Sequence, residues 1–124
     1  MGSKYTPGNS LRVWSEYFPN ATIYGLDIYE HKELDTDRIK TFVANQNSEI
    51  DLENVIKNIN SELDIIIDDG SHQGSHQAFS FIFLNKYLSK NGIYIIEDIQ
   101  PENINNFLDL SIFPSYYKDY INDN

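Results

Sequence analysis

Three apolar runs in this chain stop on carboxylates. Ile23-Tyr24-Gly25-Leu26 ends at Asp27, Leu63 to Ile67 ends at Asp68-Asp69, and Ile93 to Ile96 ends at Glu97-Asp98. Each run has the length and composition of a β-strand. A fourth, weaker strand is predicted over Ile39 to Ala44. Strands alternating with helical patterns imply parallel pairing through right-handed crossovers, an open α/β sheet. Ligands of such sheets bind beyond the carboxyl ends of the strands, where these acids stand. With 124 residues the chain accommodates one domain and is too short for two.

The segments between the runs carry helix signals. Leu11, Trp14, Tyr17 and Phe18 recur at helical spacing, with Asn9 or Ser10 as the expected cap and Pro19-Asn20 as the stop. Met1 to Asn9 reads as loop. Ser48 is placed to cap a helix carrying Ile50, Val55, Ile56 and Ile59. Gln73 to Leu88 reads as a helix with Phe79, Ile82, Phe83 and Tyr87 on its apolar side, followed by a turn at Lys90-Asn91-Gly92. The run Leu63 to Ile67 is expected to be buried on both faces. Pro101 suits the first turn of a last helix with Ile104, Phe107 and Leu108, and from Ser111 onward the sequence is an irregular aromatic and polar tail.

Composition narrows the function. Nine lysines and arginines face 19 aspartates and glutamates, a formal net charge of -10, which disfavours a partner bound through its phosphate backbone. There is no cysteine, so disulfides, thiolate zinc sites and a cysteine nucleophile are excluded. No apolar run approaches the roughly 20 residues of a membrane span, and no basic-then-apolar leader opens the sequence. A cytoplasmic location without a membrane partner is the expectation. Phe113, Tyr116, Tyr117 and Tyr120 in the tail fit self-association into a homo-oligomer.

An Asp-Asp-Gly after a strand is by itself an ordinary turn. The second acidic pair changes its meaning. Adjacent strands lie about 4.8 Å apart, so Asp68-Asp69 and Glu97-Asp98 can converge on one point. Carboxylates gathered this closely raise one another's pKa unless a cation joins them, and oxygen donors suit Mg²⁺ or a similar hard ion. The competing reading makes them separate solvated caps. His72, just past the strand, stands where a general base would. His76 falls four residues on, but no Glu follows His72, so the zinc-protease pattern fails and His76 is read as support or helix start. Asp27 is placed to accept ribose hydroxyls, and Asn45-Gln46 to meet a base edge.

In order along the chain, Gly8-Asn9-Ser10-Leu11-Arg12-Val13-Trp14, Tyr17-Phe18-Pro19-Asn20-Ala21, Ile23 to Asp27, Arg38 to Phe42, Asp64 to His72 and Gly92 to Ile99 resemble the class I S-adenosylmethionine-dependent methyltransferases of the macrolide sugar O-methyltransferase type. The resemblance runs from Gly8 to about Ile99, and its most specific parts are Asp-Asp-Gly-Ser-His and Ile-Glu-Asp. It implies a Rossmann-like sheet, S-adenosylmethionine and Mg²⁺ as cofactors, and a sugar-containing small molecule or glycan precursor as acceptor. By the same resemblance Asp69, Glu97 and Asp98 correspond to metal ligands and His72 to the catalytic base. Asp27 corresponds to the ribose acid, Asn45 and Gln46 to an Asp-Gln pair near the adenine, and Ser10 to the cofactor's amino-acid end. Asp68 joins the cofactor-binding set.

The family's sheet opens with a strand ending in Glu-x-Gly that lies between the strands ending at Asp27 and at Asp69. Nothing apolar precedes Pro7, so that strand and the final antiparallel pair are expected to be missing, leaving a single partial domain over 1–124 with its family-like core at 10–99. Weak or no cofactor binding by this chain alone follows from that expectation. Two other classes compete with the methyltransferase: a non-catalytic remnant or assembly subunit of the same fold, and a metal-dependent hydrolase using the strand-end acids.

Overall fold

A computed structural model of the chain describes residues 8–101. The elements run α1 (Asn9–Tyr17), β1 (Ile23–Asp27), β2 (Ile39–Val43), α2 (Glu49–Ile59), β3 (Leu63–Asp68), α3 (Gly74–Leu84) and β4 (Leu88–Ile96), with single 3-10 turns at Lys32–Leu34 and Asn85–Tyr87. The last helix expected from Pro101 and the tail from Ser111 lie outside the described residues, as does most of the opening loop. Among the described residues no helix is long and apolar enough to cross a membrane.

The strands pair in parallel, as the alternation requires. β1 lies beside β2 with Ile23 opposite Ile39 and Asp27 opposite Val43. β3 lies beside β4 with Ile65 opposite Ile93 and Asp68 opposite Ile96. These are two separate two-stranded ladders; among the described residues none joins β1 to β3. The break falls where the sequence left a place for a central strand.

Local chemistry explains most boundaries. The Ser48 side chain accepts from the Asp51 amide at 3.3 Å and caps α2, and Asn60 ends it in left-handed backbone. The cap of α1 differs from expectation. Gly8 holds that position without a side-chain bond, and Asn9 is already helical. The other end of α1 is closed from a distance, since the Arg38 guanidinium donates to the carbonyls of Phe18 (3.0 Å), Ala21 (3.2 Å) and Ser15 (2.9 Å). A cation on the free carbonyls at a helix C-terminus is favourable by charge as well as by hydrogen bonding.

Two expectations about the second ladder are corrected. Lys90-Asn91-Gly92 is not a turn before a strand but a bulge inside one. Leu63 faces Leu88 and Ile65 faces Ile93, so Asp64 alone stands opposite Ser89 through Gly92. A Cβ at Gly92 would come within 2.6 Å of the Leu88 Cγ and 3.0 Å of the Asp64 carbonyl, so the bulge needs glycine there. β3 is also not buried on both faces. Ile65 (43 % exposed), Ile93 (57 %) and Ile95 (41 %) share an uncovered face, while α3 packs the other, with Phe81 edge-on to Tyr94 at 5.0 Å between ring centroids.

α3 itself ends at Leu84, and its buried side is more polar than its sequence suggests. Gly74, Gln77, Ser80, Phe81 and Phe83 face inward, while Ile82, expected in the core, is 55 % exposed. The apolar interior consists of Leu34, Ile39 and Ala44 around the first ladder and Leu52, Val55, Phe81 and Phe83 around α2 and α3.

Candidate functional site

The parallel ladder of β3 and β4 delivers its acids side by side. Asp68 is opposite Ile96, and the Glu97 amide donates to the Asp68 carbonyl at 2.9 Å, extending the pairing past the strand end. Asp69 and Asp98 follow immediately on the two chains. From the loop after β3, His72 places its Nε2 3.8 Å from Asp69 Oδ1 and 3.7 Å from Asp98 Oδ2. The ligand atoms of Asp69, His72 and Asp98 all lie within 4.8 Å of one another. His72 and Asp98 both hold left-handed backbone, φ 62 and φ 53, which non-glycine residues adopt at a cost.

Glu97 stands against this trio rather than within it. Its carboxyl is held above the usual range, first by the charge of Asp69, then by burial and by the charge of Asp98, with His72 opposing. That crowding of anions suits a cation. The two carboxylates at one point are oxygen donors of the kind that hard divalent ions accept, and they fit Mg²⁺ with the His72 imidazole beside the ion rather than bound to it. The sequence grouped Asp69, Glu97 and Asp98; the structure brings Asp69 and Asp98 together with His72 and sets Glu97 beside Asp69.

The loop carrying Asp69 and His72 is braced on several sides. Asp68 is buried, accepts from the Gly70 amide at 3.1 Å, and receives the Gln46 Nε2 at 3.1 and 3.3 Å on its two oxygens. Burial, and after it the Asp68 charge, pushes the Tyr94 phenol well above its ordinary range. Ser71 Oγ stands 2.9 Å from His76 Nδ1, so His76 supports the loop from the first turn of α3. Gln77 Nε2 donates to the Glu97 carbonyl at 3.1 Å, which ties α3 to the second acidic segment. Gln77 was not recognised from the sequence as a site residue, although its spacing of four from Phe81 puts it on the helix face that meets β4.

The remaining candidates lie elsewhere. Asp27, at the end of β1, accepts from the Tyr29 amide at 3.2 Å, and its Oδ2 is 3.0 Å from His31 Nε2. His31 is a second residue that the sequence did not single out. Asn45 turns its Oδ1 onto the Asn47 amide at 2.9 Å, and its own amide donates to Asp51 Oδ2 at 2.9 Å. Gln46 directs its side chain toward β3 and α3. Ser10 is exposed in the first turn of α1. The ribose candidate thus belongs to the first ladder and the metal candidates to the second.

No family model matches the chain. It is 40% identical over 92 residues to mycinamicin VI 2''-O-methyltransferase of Micromonospora griseorubida, covering 74% of this chain and 23% of that protein. To the demethylmacrocin O-methyltransferase of Streptomyces fradiae it is 39% identical over 92 residues, with the same coverage of 74% and 23%. Among solved structures, the MycE methyltransferase of the mycinamycin pathway in complex with Mg, SAH and mycinamycin VI superposes with a TM-score of 0.71 at 39% identity, over 79% of this chain and 26% of that one. The chain spans about a quarter of the length of these relatives. By sequence and by fold, then, the chain is a homologue of one segment of the macrolide sugar O-methyltransferases.

Proposed function

We propose that this chain supplies the metal-binding and proton-accepting wall of an S-adenosylmethionine-dependent O-methyltransferase acting on a sugar hydroxyl. The observation that carries the reading is the convergence of Asp69, His72 and Asp98 at the ends of β3 and β4, with two of the three in strained backbone. It is supported by homologues that are sugar O-methyltransferases and by a neighbour solved with Mg and SAH.

In this reading Asp69 and Asp98 hold the divalent cation, with Glu97 adding negative charge at its side. The cation, when bound, supplies Lewis acidity that makes a neighbouring hydroxyl easier to deprotonate. His72 takes the hydroxyl proton on its imidazole, and the adjacent carboxylates stabilise the imidazolium that results. Asp27 accepts the ribose hydroxyls of the cofactor, whose sulfonium supplies the methyl group. Ser10 and Asn45 border the same cofactor, while the Gln46 side chain is taken up by Asp68, Ser80 and the Ser71 amide and so braces the loop that carries Asp69 and His72.

Mn²⁺ titration of the 124-residue chain, followed by electron paramagnetic resonance, tests the site directly. Saturable binding that Asp69→Asn and Asp98→Asn each weaken at least tenfold supports it; Mn²⁺ that binds equally to both variants overturns it. Methyl transfer from labelled S-adenosylmethionine to glycosides, lost in His72→Ala, tests the chemistry. The separation of the two ladders favours a second reading, a non-catalytic chain of the same fold, and metal binding without S-adenosylmethionine binding would select it.

A further inference from the structure

The Gln46 side chain crosses from the loop after β2 to the loop that carries Asp69 and His72. Its Nε2 donates to Asp68 Oδ2 at 3.1 Å and Oδ1 at 3.3 Å and to Ser80 Oγ at 3.0 Å, while its Oε1 accepts from the Ser71 amide at 2.8 Å. The bonding capacity of the amide matches this arrangement: one hydrogen is shared by the carboxylate, the other goes to the hydroxyl, and the oxygen takes the backbone donor. The single proton of the Ser80 hydroxyl lies within reach of two carbonyls, that of His76 at 2.8 Å and that of Gln46 at 3.0 Å. A Cβ at Gly70 would collide with Gln46 Oε1, so the turn is built for this close approach. Gln46 therefore grips the loop at Asp68 and at Ser71, on either side of Asp69 and immediately before His72.

We infer that Gln46 is a positioning residue for the metal site: by fixing Asp68 and the Ser71 amide it sets where Asp69 and His72 stand relative to Asp98. The inference rests on the metal-site reading above and extends it, because it makes ion affinity at the end of the second ladder depend on a residue from the first. Supporting residues around metal ligands typically change affinity by about 10- to 100-fold when removed. Gln46→Met keeps the bulk and deletes the side-chain bonds to Asp68, Ser80 and the Ser71 amide. Gln46→Asn is milder, one methylene too short to span the gap.

The test is Mn²⁺ titration of the full chain by paramagnetic resonance, with amide hydrogen exchange of residues 68–73 in the metal-free protein. Gln46→Met is expected to lower Mn²⁺ affinity at least tenfold, to broaden the bound-ion spectrum and to expose the Ser71 amide, whereas Ser80→Ala, which leaves the Asp68 and Ser71 bonds in place, keeps affinity within about threefold. If Gln46→Met does not fold, Gln46→Asn carries the same expectation. Wild-type affinity and an unchanged spectrum in a folded Gln46 variant, alongside loss of binding in Asp69→Asn, would overturn the role of Gln46 while leaving the site intact. Failure of the wild-type chain to bind Mn²⁺ would overturn the site reading itself, and with it this one.

Discussion

His72 and Asp98 come from different strand ends, meet at 3.7 Å, and both carry positive φ. Neither backbone is one that an aspartate or histidine adopts without cost, and the side chains it aims converge on the same point. Asp98→Gly should therefore separate stability from binding. Relief of the left-handed backbone and of the repulsion between Asp98 and Glu97, set against the greater freedom of an unfolded glycine, is expected to stabilise the metal-free chain by about 1 kcal/mol, while Mn²⁺ binding is lost. Chemical denaturation with and without Mn²⁺ measures both effects; a destabilised Asp98→Gly would show that the backbone there is unstrained.

Arg38 joins the C-terminus of α1 to the start of β2 through three carbonyls. Arg38→Ala is expected to cost about 2–4 kcal/mol, since charge-assisted bonds are among the stronger ones and the carbonyls of Ser15 and Ala21 lose the guanidinium, while that of Phe18 keeps the Ala21 amide. Arg38→Lys should recover only part of this, because an ammonium cannot reach three acceptors with the geometry of the guanidinium fork. Urea denaturation of the two variants checks the order.

The bulge opposite Asp64 predicts a penalty at a single glycine. In Gly92→Ala the new methyl meets Leu88 and the Asp64 carbonyl, and a loss of about 1–3 kcal/mol is expected. A thermal midpoint equal to wild type would mean that the bulge can open without cost.

Asp35 provides a pH dependence of defined sign. Its carboxyl is lowered below the reference value of 3.8, chiefly by the Thr41 hydroxyl, which donates to Asp35 Oδ1 at 2.6 Å; desolvation opposes this, and the Thr41 amide at 2.9 Å and the charges of Lys32 and Lys40 add to it. A group whose pKa falls on folding contributes stability above its unfolded pKa and loses it as pH drops through the folded value. The stability of wild type should thus fall as pH is lowered below 3.8, and Asp35→Asn should flatten that part of the curve. The difference between the two curves, measured by denaturation across pH 2–5, reports the bond (the window is about one unit or more to each side of an ordinary carboxylate pKa).

Strand placement was readable because apolar runs and strand-end acids are local signals. Asp68, Asp69, Glu97 and Asp98 could be expected together because parallel neighbours end together. What the sequence concealed depended on contacts between distant residues. Nothing near Arg38 in the chain announces the carbonyls of Ser15, Phe18 and Ala21, and nothing near Gln46 announces Asp68. Lys90-Asn91-Gly92 misled because the same residue types serve a turn and a bulge, and only pairing with β3 distinguishes them. Apolar spacing does not reveal the inward face of α3 because Gln77 and Ser80 are polar: the Ser80 hydroxyl and the Gln77 Nε2 have hydrogen-bond partners in the fold, while the buried Gln77 Oε1 has none among the described residues.

Because the described ladders share no rung, β1 with β2 can lose its pairing while β3 with β4 keeps its own. Slow amide exchange should accordingly sort into two cooperative blocks, 23–43 and 63–96, each with its own opening energy. One link between the two openings is the Gln46 side chain, bonded across the break to Asp68 and the Ser71 amide.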